Sequence, residues 1–147
     1  MVTRLPHNET RQKTIAVLKR RIEPRLQALV AVCSGAYRMS KRGIEELAED
    51  AFGVPLSLGS ITNLEQATSE AVAAPVQEVA RTLREQPVVH ADETGWYEDS
   101  PSGSRFVERI LTVMTTRRMQ GRNVLDYVAG ACEAALQGQD APSLLPG

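Results

Sequence analysis

The chain has 147 residues, of which 42% are hydrophobic and 24% are charged, and its formal net charge is −1. These totals are typical of a single soluble globular domain. No apolar run is long enough for a signal peptide or a membrane span, and Cys33 and Cys132 lack metal-type spacing, so we expect a cytoplasmic protein with free thiols and no membrane partner.

The first predicted segment is a basic leader, residues 1–23. Residues 1–25 contain seven Lys or Arg against two Glu, whereas residues 26–100 contain five basic and twelve acidic residues. A basic leader ahead of an acidic body is compatible with contact to a polyanion such as DNA. It is equally compatible with a solvated leader that contacts nothing.

A helical region is predicted over residues 24–86. Pro24 suits a first helical turn, Ser40 is a good N-cap, and Gly53 is placed to end a helix in a left-handed conformation. Pro75 either begins the last of these helices or kinks what precedes it. Helical spacing predicts an inward position for a set of apolar residues: Leu26, Leu29, Val30, Cys33, Ile44, Leu47, Ala48, Phe52, Ile61, Leu64 and Ala67.

The helix that starts after Ser40 and the one that opens around Ser60 have the outline of a helix-turn-helix. Basic residues at the start of the first and polar residues along the second are candidates for DNA contact: Lys41, Arg42, Ser60 and Asn63, with Thr62 and Gln66 beside them. Four carboxylates on the first helix oppose approach to phosphates: Glu45, Glu46, Glu49 and Asp50. Two helices that merely pack together are therefore the alternative.

A short strand that ends at Asp92 is predicted within residues 87–97, because two valines precede Asp92 and the strand-breaking residues "ETG" follow it. A carboxylate at a strand end can bind Mg²⁺, and phosphoryl-transfer enzymes hold two such ions about 4 Å apart. Asp92 cannot hold two ions alone. Glu93 points to the opposite face of the strand, and His90 lies on the same face. The residues alone leave both a metal ligand and a simple turn aspartate open.

Residues 98–103 are interpreted as a junction of small residues, and residues 104–147 as two helices and a tail. Gly121 can end the first helix, and Asn123 can cap the second. Several residues are predicted to face inward: Phe106, Ile110, Val113, Met114, Val124, Tyr127, Val128, Cys132 and Ala135. The tail "QDAPSLLPG" holds two prolines and should be extended.

Three long stretches resemble the transposases of insertion-sequence family 66, which are bacterial DDE recombinases. They are "RLQALVAVCSGAYRMSKRGIEELAEDAFGVPLSLGSITNLEQ", "QPVVHADETGW" and "SGSRFVERILTVMTTRRMQGRNVLDYVAGACEAALQGQDAPSLLP". "HADETGW" is the best single marker. The resemblance implies that Asp92 stands at the first catalytic carboxylate, a Mg²⁺ ligand at the end of the first strand of an RNase H-like fold. It also implies DNA, at the ends of an insertion sequence, as a partner.

The chain departs from the family pattern between its second and third matching stretches. The resemblance implies a long stretch between "HADETGW" and "SRFVER", which supplies most of the sheet, the second catalytic Asp and the catalytic Glu. In this chain the two segments are joined almost directly, near residues 97–102. The chain therefore resembles a transposase with its middle removed, and the partners of Asp92 are expected to be missing.

The fold expected from these features is mainly α: a helical bundle with a helix-turn-helix-like pair and one residual strand from an incomplete RNase H-like core. The expected function is that of a truncated DDE transposase, related to DNA transposition but without autonomous catalysis. The alternative is a DNA-binding or transposase-inhibiting module that pairs with full-length transposase or with itself. A helical remnant without selected activity is the third possibility.

Overall fold

The computed structural model describes residues 23–89 and 101–147, and all regular structure in these ranges is helical. The helices are α1 (residues 23–35), α2 (Lys41–Phe52), α3 (Leu58–Ala71), α4 (Ala73–Arg84), α5 (Pro101–Met119) and α6 (Val124–Leu136). Helix α3 contacts α2, α4, α5 and α6, so it is the central helix of the bundle. The prediction of a mainly α fold is confirmed.

Serine and glycine caps determine where α2 and α3 begin and end. Ser40 is extended, and its side chain accepts the backbone N–H of Gly43 at 3.1 Å. Gly53 ends α2 with a φ of 63°, the left-handed conformation that glycine adopts without a steric penalty. Ser57 accepts the N–H of Ser60 at 3.1 Å, so α3 begins before the predicted position and Ser60 lies in its first turn.

The first three helices share a small apolar cluster. Val30 and Cys33 of α1, Ile44 of α2 and Ile61 of α3 are buried together. Each lies at a position predicted to face inward, because the 3.6-residue period of a helix places such residues on one face. This group, with the partly buried residues packed against it, is called the α1–α3 cluster below.

A larger cluster joins α1, α3, α4, α5 and α6 to the C-terminal tail. Its buried members are Ala28, Val32, Ala71, Val72, Val79, Val113, Tyr127, Val128, Ala129, Ala131, Cys132 and Leu144. The tail has no regular structure, but Leu144 is fully buried and its carbonyl accepts the side-chain amide of Gln120 at 2.6 Å. Burial of a leucine side chain stabilises a fold by roughly 1.5–3 kcal/mol. This group is called the Leu144 cluster.

The two alternatives for Pro75 are resolved by a break between α3 and α4. Val72 separates the two helices, and α4 begins at Ala73. Pro75 therefore lies in the first turn of α4, where backbone N–H groups have no partner within the helix and the missing N–H of proline costs little.

Helix α5 begins earlier than expected and approaches α1 closely. The helix already includes Pro101, which lies inside the predicted junction. A Cβ atom on Gly35 would lie 3.0 Å from Cβ of Ile110, so the glycine allows α1 to contact α5. Between α4 and α5 lies an open groove of about 720 Å³, with the exposed side chains of Leu83 and Met119 in its lining.

Three residues predicted to face inward are exposed. Phe52 is 56% exposed because it lies in the last turn of α2, where it borders a small cavity beside α1. Ala67 falls outside the inward stripe of α3, which continues from Ile61 through Thr68. Ala135 and Ala67 both border an open depression between α3 and α6. These predictions were wrong because helical spacing indicates which face of a helix a residue lies on, whereas burial also requires a neighbouring element that covers that position.

The predicted strand is only partly covered by the described residues. Val88 and Val89 are exposed and have no regular structure, whereas His90, Asp92 and Glu93 lie outside the described ranges. In residues 23–89 and 101–147 no helix combines the length and the apolar character needed to cross a bilayer.

Candidate nucleic-acid interface

The four candidate DNA-contacting residues lie at the N-terminal ends of two packed helices. Lys41 and Arg42 occupy the first turn of α2, while Ser60 and Asn63 lie in the first turns of α3. Arg42, Ser60 and Asn63 are exposed, and Lys41 is partly exposed. The short connection over residues 53–57 and the shared α1–α3 cluster position the two helix starts.

Ser60 already has a partner. Its hydroxyl lies 2.9 Å from the hydroxyl of Ser57, which also caps α3. A hydroxyl can donate one hydrogen bond and accept others, so Ser60 retains capacity for a phosphate or base contact. Its neighbour Asn63 presents a side-chain amide to solvent on the same helix.

Lys41 is the residue that links α2 directly to α3. Its Nζ donates to Oγ1 of Thr62 at 2.9 Å and lies 3.3 Å from Oε2 of Glu65. The other oxygen of that carboxylate, Oε1, accepts the hydroxyl of Ser34 at 2.5 Å. A polar network thus joins α1, α2 and α3 on one side of the α1–α3 cluster.

Glu65 was not identified from the sequence. The residue is only 8% exposed, and a buried carboxylate requires a charge partner and hydrogen bonds. The signal was available: Glu65 is four residues after Ile61 and therefore on the inward face of α3. Its ion pair with Lys41 compensates part of the positive charge on which the DNA prediction depends.

The electrostatic surface around the pair is mixed. The exposed face of α3 carries no carboxylate before Glu70, so its first turns combine polar side chains with the positive end of the helix dipole. Arg42 adds an exposed cation at the start of α2. Further along α2, Glu46, Glu49 and Asp50 are exposed and would repel phosphates. The surface that favours contact with DNA phosphates is therefore confined to the N-terminal ends of α2 and α3.

Magnesium binding is not supported by the described residues. In residues 23–89 and 101–147 no group of three or more His, Cys, Asp or Glu side chains could hold a metal ion. Asp92, the predicted catalytic and metal-binding residue, lies outside those ranges and its role stays a prediction. The donors among the described residues therefore do not fit a magnesium site.

The cysteines do not form a reactive site. Both are free and buried, as predicted. Burial raises the pKa of the Cys33 thiol and that of the Cys132 thiol, although a hydrogen bond with Thr68 lowers the latter in part. A raised thiol pKa disfavours the thiolate, which is the nucleophilic form.

Comparison with known proteins identifies one family. A model described as the transposase IS66 family matches residues 19–125, which include α1 to α5 and the first residues of α6. No curated protein and no solved structure matches the chain.

Proposed function

The chain belongs to the IS66 transposase family, and from this premise we propose that it acts in transposition by contacting DNA and not by catalysing strand transfer. The observation that carries the proposal is the placement of Lys41 against Thr62, which brings the basic start of α2 beside the exposed polar face of α3. In a helix-turn-helix the second helix enters the major groove while the first lies across the backbone. In this arrangement Arg42 contacts a phosphate, and Ser60 and Asn63 face the groove.

The proposed lack of catalysis is supported by how little chain separates α4 from α5. Only residues 90–100 lie between the two described ranges, and a strand needs about five residues. A multi-stranded sheet with two further catalytic carboxylates therefore has no place between "HADETGW" and "SRFVER". We propose that this internal truncation leaves Asp92 without the partners that a two-metal site requires.

A module that binds DNA ends without cutting them has a regulatory consequence. It occupies the sites that an intact transposase needs, and it thereby inhibits transposition by competition. This inhibitory role is the second candidate function, and it relies on the same α2–α3 surface. Pairing with full-length transposase, or with a second copy of the chain, would add to the inhibition.

DNA binding is tested by fluorescence anisotropy as a function of salt. The probes are a duplex from an insertion-sequence end of the family and a shuffled duplex of equal length. We expect tighter binding to the first duplex and a steep dependence on salt, because each neutralised phosphate releases condensed counterions. Equal and very weak binding to both duplexes would contradict the proposal.

A matched pair of arginine variants locates the surface. Arg42→Gln should reduce the slope of log K against log salt by about 1, because one phosphate contact is lost. Arg81→Gln, an exposed arginine on α4, should leave the slope unchanged. If both variants change the slope equally, the binding surface is not the one proposed.

Catalysis is tested separately. The purified chain with Mg²⁺ or Mn²⁺ and insertion-sequence ends should produce neither nicks nor joined products. Metal-dependent cleavage that Asp92→Asn abolishes would overturn the proposed lack of catalysis. Inhibition is measured by adding the chain to an intact family transposase, with Arg42→Gln as the weakened competitor.

A further inference from the structure

Glu65 is a buried charge at the base of the proposed DNA-contacting surface. The residue is 8% exposed, and it lies on α3 at the point where α1 and α2 meet that helix. The hydroxyl of Ser34 satisfies one of its carboxylate oxygens. Lys41 faces the other oxygen, so Glu65 pairs with a cation on the helix that carries the basic residues.

Lys41 lies at the boundary between that buried carboxylate and solvent. Its side chain is 40% exposed, compared with 11% for the side chain of Glu65. The ammonium group therefore contacts Glu65 on its buried side and Thr62 at the surface of α3. A DNA phosphate that approaches this surface would meet the same ammonium group, and it would compete with Glu65 for it.

We propose that Glu65 is an internal counter-ion that withholds the charge of Lys41 and so weakens DNA binding by the α2–α3 pair. This inference rests on the proposed DNA-binding function and adds a regulatory contact to it. An ammonium group that is already neutralised contributes little to counterion release, because it does not neutralise a further phosphate. Removal of the Glu65 charge should therefore strengthen binding, whereas a purely structural role would predict weaker binding.

The test variant is Glu65→Gln. Glutamine retains the side-chain length and an oxygen that accepts the Ser34 hydroxyl, and it removes the negative charge together with the acceptor oxygen that faces Lys41. We expect the slope of log K against log salt to steepen by about 0.9, the value for one additional phosphate contact. Over a fourfold decrease in salt, this slope corresponds to an additional gain in affinity of about 3.5-fold relative to the wild type.

The double variant Glu65→Gln/Lys41→Met is the control. It removes both charges, so it leaves no unpaired carboxylate, and the methionine retains the apolar part of the lysine side chain. The gain in slope should disappear in this variant. Circular dichroism of all three proteins checks that helix content is unchanged.

The outcomes separate this inference from the proposed function. Suppose that the wild type binds DNA and that this binding depends on Arg42. If the slope is then unchanged or shallower in Glu65→Gln, the counter-ion role is overturned and the proposed function is not. A steeper slope that persists in the double variant also overturns it, since Lys41 would not be the released cation. Binding that appears only after Glu65→Gln supports it. If neither the wild type nor Glu65→Gln binds DNA in a salt-dependent manner, both proposals fail.

Discussion

The α1–α3 cluster and the Leu144 cluster stabilise the same bundle by different means. The first combines four buried apolar residues with a polar network of Ser34, Lys41, Thr62 and Glu65. The second is almost wholly apolar and is closed by a tail segment whose Leu144 is fully buried. The first cluster thus includes a buried ion pair near the proposed DNA surface, whereas the second depends mainly on apolar contacts between the helices and the tail.

The two clusters therefore have different roles: the Leu144 cluster stabilises the bundle, and the α1–α3 cluster supports the proposed DNA-binding surface. Apolar burial does not depend on an ion pair, so the Leu144 cluster stabilises the scaffold without the charges of the proposed DNA surface. The Lys41–Glu65 ion pair responds to nearby anions, because the Lys41 side chain remains accessible to them. The following four substitutions measure this separation, from the largest expected effect to the smallest.

Leu144→Ala should have the largest effect on stability. The leucine is fully buried, and removal of its side chain leaves a cavity in the Leu144 cluster. We expect the free energy of unfolding, measured by urea denaturation, to decrease by about 2–5 kcal/mol. Leu136→Ala, at a side chain that is 62% exposed, should change it by less than about 0.5 kcal/mol. Equal effects would show that the tail does not contribute to the core.

Lys41→Ala should destabilise the α1–α3 cluster because it removes the charge partner of Glu65. The cost of leaving a buried polar group without its partner is about 1–3 kcal/mol. The double variant Lys41→Ala/Glu65→Gln should recover part of this loss, since no buried carboxylate remains. Arg42→Ala is the neighbouring exposed control. A Lys41 effect as small as that of Arg42 would argue against the network.

Tyr127→Phe should remove about 1 kcal/mol, because the hydroxyl donates to the carbonyl of Pro142 at 2.6 Å. The effect should also depend on pH. Burial raises the pKa of Tyr127, although the nearby Arg117 cation lowers it in part. Above about pH 10 the unfolded chain ionises this tyrosine while the folded chain retains its proton, so Tyr127 contributes progressively less stability.

The wild type should therefore lose more stability between about pH 9 and 11 than Tyr127→Phe does. Urea denaturation at both pH values measures this difference. Tyr37→Phe, at a tyrosine that is 62% exposed, is the control. Parallel losses in the wild type and in Tyr127→Phe would contradict the raised pKa.

Arg25→Ala should have the smallest effect. Arg25 pairs with Asp126 and connects α1 to the start of α6, but the two side chains are 59% and 60% exposed. Exposed ion pairs contribute little because water and salt screen them, so we expect a change of less than about 0.5 kcal/mol. Asp126→Ala is the reciprocal control, although this residue also lies in the first turn of α6. A loss above about 1 kcal/mol would indicate that the contact is better ordered than its exposure suggests.

The local features of the fold were predictable from neighbouring residues. Ser40, Gly53 and Asn123 cap helices as expected, because each cap depends on hydrogen bonds within a few residues. Most predicted inward positions are buried for a similar reason, since helical periodicity is a property of a short segment. The wrong predictions concern Phe52 at the end of α2 and Ala67 and Ala135 at the depression between α3 and α6. At these positions the burial of a side chain depends on which other element packs against it.

The candidate site was only half predictable. Lys41 and Arg42 were identified from charge and position, but Glu65 was not, because its partners are far away in sequence. Ser34 precedes it by 31 residues, and Lys41 lies on another helix. Nothing local indicates that an inward glutamate meets a lysine. That encounter requires the packing of three helices.

The amino-acid sequence by itself determined the helical class, the caps, the apolar stripes and the family, because these depend on residue type and short-range spacing. Only the tertiary structure decided that Leu144 of the tail is buried in the core and that Lys41 pairs with a buried carboxylate while its side chain remains partly exposed. Both results depend on contacts between segments distant in the chain, where the position of a side chain is set by the helices that pack around it.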